Sequence, residues 1–207
     1  MPSTLEILDA LSSITNNYVS IAIFWHIVFY ALVIALLAGW RPYNQHFILF
    51  LALPVLSVGA IAWITGNPFN GGLFSIAFIM IILTGLKASR EKLSISALPF
   101  MIPGTLLVAF GLWYPHFLIA ASWTEYLYSS PAGVIPCPTL SVILGFSLIF
   151  NRFNSSSLTI LFICFGLFYG IFGVFKLGVY PDIALLAGTI CLLILLILKM
   201  KKEPSLN

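Results

Sequence analysis

The sequence predicts an all-α fold: a polytopic transmembrane helix bundle of about seven spans, N-terminus outside and C-terminus cytoplasmic. Three observations carry this reading. Of 207 residues, 61% are hydrophobic and only 7% charged, against about 25% charged in a soluble domain, so the charges are too few to cover a water-facing surface. The apolar residues fall in runs of roughly 17–22, bilayer length at about 1.5 Å per residue, where a soluble core would show short runs at amphipathic spacing. The basic residues between the runs are biased to one side.

The elements follow in order. No Lys or Arg precedes Arg41, so the N-terminus lacks the basic region of a signal peptide. Residues 1–17 read instead as an interfacial segment, with a short helix over 4–14. Thr4 is its expected N-cap, Leu5, Leu8 and Leu11 recur at about one turn, and Glu6 and Asp9 suit the positive end of the helix dipole. Tyr18–Gly39 is the first span, with Trp40 and Tyr43 at interface positions after it. Phe47–Thr65 is the second, and Gly66, Asn67 and Pro68 make a turn into the third, Phe69–Leu86. Ile95–Tyr114 is the fourth, and Pro99 and Pro103 either kink it or shift its start. Pro138–Phe150 is a short fifth run, expected to begin within 131–137 or to sit in a covered position. Leu158–Phe175 and Pro181–Leu198 complete the set, and 199–207 is a cytoplasmic tail.

The segment 115–137 is an outer-side loop, a surface or re-entrant helix, or an eighth span. Charge decides between these. If it does not cross, Arg41, Lys87, Arg90, Lys92, Arg152, Lys199, Lys201 and Lys202 share one side, and Lys176 is the single basic residue opposite. If it crosses, Arg152 and the three tail lysines move away from the others. The positive-inside rule therefore selects seven crossings, and the expected location is a bacterial inner membrane.

Small residues carry the packing signal. Gly166, Gly170 and Gly173 line one face of the sixth span, and Ala184 and Gly188 form a small-xxx-small pair on the seventh. Close packing of these two helices on each other is the plain reading, and a seam to a second copy is the alternative.

Chemistry is sparse. The chain has no phosphate-cradling GxxxxGK[ST], no HExxH and no GxSxG. Scattered Lys and Arg make no nucleic-acid patch. Neither cofactor, nucleotide nor nucleic acid is expected, and no catalytic constellation stands out. The expected partners are the lipid bilayer and a second copy or another membrane protein. Three cysteines lie far apart and give no disulfide framework. His26 lies about eight residues, roughly 12 Å, into the first span. A neutral imidazole hydrogen-bonded within the bundle is the plain reading, and ligand binding or proton relay the alternative. On the seven-span topology Asn67, Asn70, His116, Glu125, Cys137 and Asp182 fall at or near the outer side. His26, His116, Glu125, Asn67 and Asp182 are the candidate substrate contacts. Cys137, His116 and Asp182 are the candidate metal ligands, although Asp182 behind Pro181 also suits a plain helix start. Cys137 sits at an expected helix N-terminus, which favours a thiolate, and Cys137-Pro138 resembles the ion-binding Cys-Pro step of heavy-metal pumps.

The order of landmarks resembles an uncharacterised family of bacterial membrane proteins, domain of unknown function 6064. The similar features are Tyr18 and Trp25, then Gly66-Asn67-Pro68 before Gly71 and Gly72. Pro136-Cys137-Pro138-Thr139 before Leu144-Gly145, and Gly178-Val179-Tyr180-Pro181-Asp182 before Leu185 and Gly188, follow in turn. The sequence departs from the family pattern over 115–130, where no residue is placed as the family's usual His. The resemblance implies a multispan bundle and supplies no activity.

Three functions are open on this basis: a structural or accessory membrane subunit, a carrier or channel for a small neutral solute, and an outer-side metal- or thiol-handling protein. A closed bundle favours the first, a polar cavity reaching the outer side the second, and clustering of Cys137 with His116 and Asp182 the third.

Overall fold

The computed structural model describes residues 3–202, and among these the fold is helical, with a lone bridge between Tyr43 and Lys92. The helices are α1 Thr4–Asn17, α2 Val19–Leu37, α3 Asn44–Ile64, α4 Pro68–Lys87, α5 Leu98–Trp113, α6 Tyr126–Ser129, α7 Pro136–Ile149, α8 Ser156–Ile171 and α9 Asp182–Lys202. A π-helical turn, Phe172–Leu177, extends α8. Five helices are long and apolar enough to cross a membrane: α2, α3, α4, α8 with its extension, and α9. Shorter apolar helices, α5 and α7, occupy the other two expected positions.

Local chemistry moves several boundaries. The N-cap of α1 is Ser3 rather than Thr4, because Glu6 three residues on completes a capping box. That helix runs on to Asn17, past the expected end. Pro99 sits in the first turn of α5, where its missing N–H costs nothing, so the helix starts at Leu98 rather than Ile95. Between Tyr114 and Pro136 there is no long helix, only the 3-10 turn Trp123–Glu125 and the single-turn α6. No helix of spanning length lies in this segment. Of the expected tail, helix α9 takes up 199–202, and 203–207 lie outside the described residues.

The core is organised around α7. From Pro138 to Leu148 every residue of this 14-residue helix is buried, and α3, α5, α8 and α9 all pack on it. The short run is thus enclosed by protein, which removes the need for bilayer length. The closest crossing is with α5. A Cβ on Gly104 would lie 2.8 Å from the Gly145 carbonyl oxygen, one on Gly145 2.7 Å from that of Gly104, and one on Gly111 2.8 Å from that of Pro138. Backbone meets backbone there, and only glycine permits it.

The chain enters α7 through a buried loop, Ser129 to Ile135. Buried backbone must be hydrogen-bonded, and here it is. Ser57 Oγ donates to the Gly133 carbonyl at 2.7 Å, Trp25 Nε1 donates to Ser57 Oγ at 3.0 Å, and Gly133 N–H donates to Thr139 Oγ1 at 2.8 Å. The Trp25 ring lies directly on Gly133, whose φ of +79° also requires glycine.

The small residues of α8 do face α9, but against different partners from those expected. Gly166 meets Thr189 and Leu144, Gly170 meets the Leu186 backbone, and Gly173 lies under the Asp182 carboxylate. Gly188 meets Leu107 of α5 instead, and Ala184 is a part-buried neighbour of the main core.

The two ends of the bundle differ. At one, Asn44 N–H bonds the Glu91 carbonyl, Leu93 N–H that of Pro42, and Ser96 N–H that of Ile149, which gathers the segments carrying Arg41, Arg90, Lys92 and Arg152. Residues 151–154 run there with φ of +48° to +60°, a left-handed turn costing L-residues about 1–2 kcal/mol each. Burial of Phe153 against Phe47 and a 2.7 Å bond from Asn44 Nδ2 to the Phe153 carbonyl hold it in place. At the other end α1 docks on the 117–119 strand of loop through Ser12 and Asn16.

Two stability outcomes follow. Gly104→Ala and Gly145→Ala each lower stability in detergent by about 1–3 kcal/mol through forced backbone separation. Gly170→Ala costs less, since its nearest neighbour would be 3.2 Å away; equal thermal midpoints for the three variants would contradict this packing. Ser147 Oγ of α7 is buried without a partner, for which the structure offers no explanation. Ser147→Ala should therefore raise the thermal midpoint, by relieving a penalty of about 1–3 kcal/mol.

Candidate functional site

Polar side chains converge at the end of the bundle where α5 stops and α4, α7 and α9 begin. Gly178 in the left-handed region (φ +70°) ends the π-helical turn, and Pro181 follows, so α9 opens at Asp182. Asp182 is only 2% exposed. Tyr114, directly after α5, donates from its hydroxyl to Asp182 Oδ1 at 2.6 Å. The Cys137 thiol, in the first turn of α7, lies close enough to the carboxylate to interact with it. Oδ2 packs on Gly173, where any side chain would collide with it. A carboxylate only accepts, and the Tyr114 hydroxyl donates to it away from solvent.

A second pair adjoins the first. Tyr169 of α8 donates to Asn70 Oδ1 of α4 at 2.9 Å, and Tyr169 lies within electrostatic range of Cys137. The nearby cavity, bordered by Asn67, Asn70 and Pro136, measures about 10 Å³, at the lower limit for a single water.

The remaining candidates stand apart from that cluster. His116 is part-buried, stacks edge-on to Phe117 with ring centroids 4.3 Å apart, and is held below its usual imidazole pKa by burial. Glu125 is half-buried at the end of the 3-10 turn Trp123–Glu125. Asn67 caps α4, its Oδ1 accepting from Asn70 N–H at 3.1 Å. Among the described residues no group of three His, Cys, Asp or Glu side chains gathers as a metal site. Cys137 and Asp182 meet, and His116 does not join them.

His26 is 1% exposed. Its Nδ1 lies 2.8 Å from the Ala22 carbonyl and its Nε2 2.8 Å from the Leu112 carbonyl, which also accepts from Ser130 Oγ at 2.9 Å. The ring thus ties α2 to the end of α5 and to the buried loop.

Sequence reasoning missed Tyr114 and Tyr169. Both read as ordinary members of apolar runs, yet a buried tyrosine hydroxyl needs a partner, and that requirement was the available signal.

Tyr114→Phe should lower stability by about 1–3 kcal/mol in the wild-type background and by much less beside Asp182→Ala, because the two side chains share one bond. Additive losses in detergent unfolding would show that they do not.

No protein-family model, curated protein or solved structure matches the chain.

Proposed function

We propose that the chain is an integral membrane protein of seven crossings, N-terminus outside and C-terminus cytoplasmic, serving as a structural or accessory membrane subunit. The topology is supported by the gathering of Arg41, Arg90, Lys92 and Arg152 at one end of the bundle, with Tyr114, Cys137 and Asp182 at the other. The location that fits is a bacterial inner membrane, and the resemblance to domain of unknown function 6064 points to the same multispan architecture without adding an activity.

One observation supports the accessory role: where α5 stops and α9 begins, Asp182 is buried with Tyr114 donating to it, and the small cavity beside Asn67 and Asn70 measures about 10 Å³. A carrier or channel for a neutral solute needs a polar opening on that side at some stage of its cycle. Metal handling through Cys137 and Asp182 has no third ligand among the described residues. Large exposed apolar side chains such as Ile34, Leu56, Ile76 and Ile194 leave ample surface for lipid or a partner helix.

In a cysteine-free background, a cysteine introduced at Ser156 should react with an impermeant maleimide only from the cytoplasmic side, and one at Thr124 only from outside. The reverse pattern, or labelling of both from one side, overturns the topology. Proteoliposomes should reswell in glycerol or urea no faster than protein-free ones; faster, saturable reswelling would replace the accessory reading with the carrier one.

A further inference from the structure

The buried ring of His26 faces two acceptors at once. Its Nδ1 is 2.8 Å from the Ala22 carbonyl oxygen and its Nε2 2.8 Å from that of Leu112. A carbonyl oxygen only accepts. A neutral imidazole carries one N–H, so it serves one of these oxygens and turns a lone pair on the other. A ring protonated on both nitrogens donates to both.

The Ser130 hydroxyl is the third polar neighbour. It stands 3.3 Å from Nε2 but donates to the Leu112 carbonyl at 2.9 Å, so its proton is spent away from the ring. Turning it toward Nε2 would still leave that nitrogen facing the Leu112 oxygen. The hydroxyl therefore does not relieve a neutral ring.

Position also favours the charge. Leu112 lies in the last turn of α5, where carbonyls lack an intrahelical donor and carry the negative end of the helix dipole. Burial works against it, because a charge without a counter-ion is costly away from water. The titratable groups on the surrounding elements are committed elsewhere or stand apart. Tyr30 of α2 lies edge-on to the ring, centroids 5.8 Å apart, and its hydroxyl donates to the Leu127 carbonyl. Tyr114, just after α5, donates to Asp182, and Tyr126 of α6 to the Leu118 carbonyl. His116 stacks on Phe117, Glu125 is half-buried at its turn, and Tyr128 is exposed. Two charge-assisted bonds thus oppose the cost of burial, and a proton held by such a balance can be released and regained.

We propose that His26 is a proton-operated latch. Doubly protonated, it ties α2 to the end of α5 and, through the shared Leu112 carbonyl, to the buried loop that leads into α7. Loss of one ring proton to solvent releases the Nε2 side, because the Ala22 contact lies within α2 itself. The folded arrangement binds the second proton better than the opened one. Stability is therefore present while the ring is doubly protonated and falls as rising pH removes that proton. The seven-crossing topology enters only in naming the outer compartment as the one sensed.

The test uses the full chain in detergent with His46→Gln and His116→Gln, which leaves His26 as the single histidine of three. The pH is scanned from about 5 to 8, where histidine is the side chain that ordinarily titrates. Nitrogen-15 NMR of the ring should show two protonated nitrogens giving way to one. Over the same interval amide exchange at 132–135, corrected for its intrinsic pH dependence, should accelerate at least about tenfold, and the thermal midpoint should fall. Adding His26→Gln should remove that fall; Asp182 is common to both chains, so any contribution from it cancels. If the added substitution prevents folding, the ring spectra and loop exchange of the parent chain still decide. A ring that keeps a single proton throughout the scan, loop exchange indifferent to the ring's protonation, or a midpoint that rises with pH as the proton leaves overturns the proposal.

Discussion

The enclosure of α7 is the constraint on which the other features depend. A helix of 14 residues cannot match a bilayer by itself, so it must be wrapped, and α3, α5, α8 and α9 wrap it. In lipid there is little hydrophobic gain from helix association, because acyl chains are as apolar as leucine. What holds the wrapping together is contact density. The backbone contact of Gly104 with Gly145 supplies it on one side, and Gly166 against Leu144 on another. Once α7 is enclosed, the polypeptide leading into it is buried too, and every polar group there has to be answered from within. Trp25, Ser57 and Thr139 answer Gly133, while His26 and Ser130 converge on the Leu112 carbonyl.

The same logic explains why Asp182 tolerates burial. It opens α9 at the level where α5 has ended and α7 begins, so the donors nearest to it belong to those helices. Tyr114 supplies one, the Cys137 thiol lies nearby, and Gly173, placed by the π-helical turn, leaves room for the second oxygen. Replacing the phenol donor by water would need space that the packing does not leave.

Much of this was legible in the sequence, and the misses share a cause. Hydropathy located all seven apolar helices, since run length and charge are local properties. The Ser3 cap was displaced to Thr4 by one residue, although Glu6 three positions after Ser3 was the local sign of it. Packing partners were not local. The spacing of Gly166 and Gly170 identified a close-packed face correctly, but Gly188 turned to α5 because Leu107 reaches it there. Gly104 and Gly145 lie on different helices without a repeat of their own, so nothing in one dimension pairs them. Pro136-Cys137-Pro138 and Pro181-Asp182 were recognisable as helix starts, which brought Cys137 and Asp182 into view. Tyr114 and Tyr169 were invisible because hydropathy treats a tyrosine in an apolar run as unexceptional.

The two ends of the molecule then differ in a way that composition alone does not show. Both carry polar residues at helix termini. At the end where Tyr114 meets Asp182, carboxylate pairs with phenol, Asn70 with Tyr169 and Asn67 with its own helix, while Thr15 Oγ1 is buried without a partner. At the basic end the turn at 151–154 is forced into a left-handed path, the Asn44 amide is used on one side only, and about 500 Å³ stays open between the termini. A bundle optimised only for packing would have filled that volume with apolar side chains, as it did everywhere around α7. Leaving the Asn44 acceptor buried and unpaired costs about 1–3 kcal/mol, which the burial of Phe153 against Phe47 beside it helps to offset.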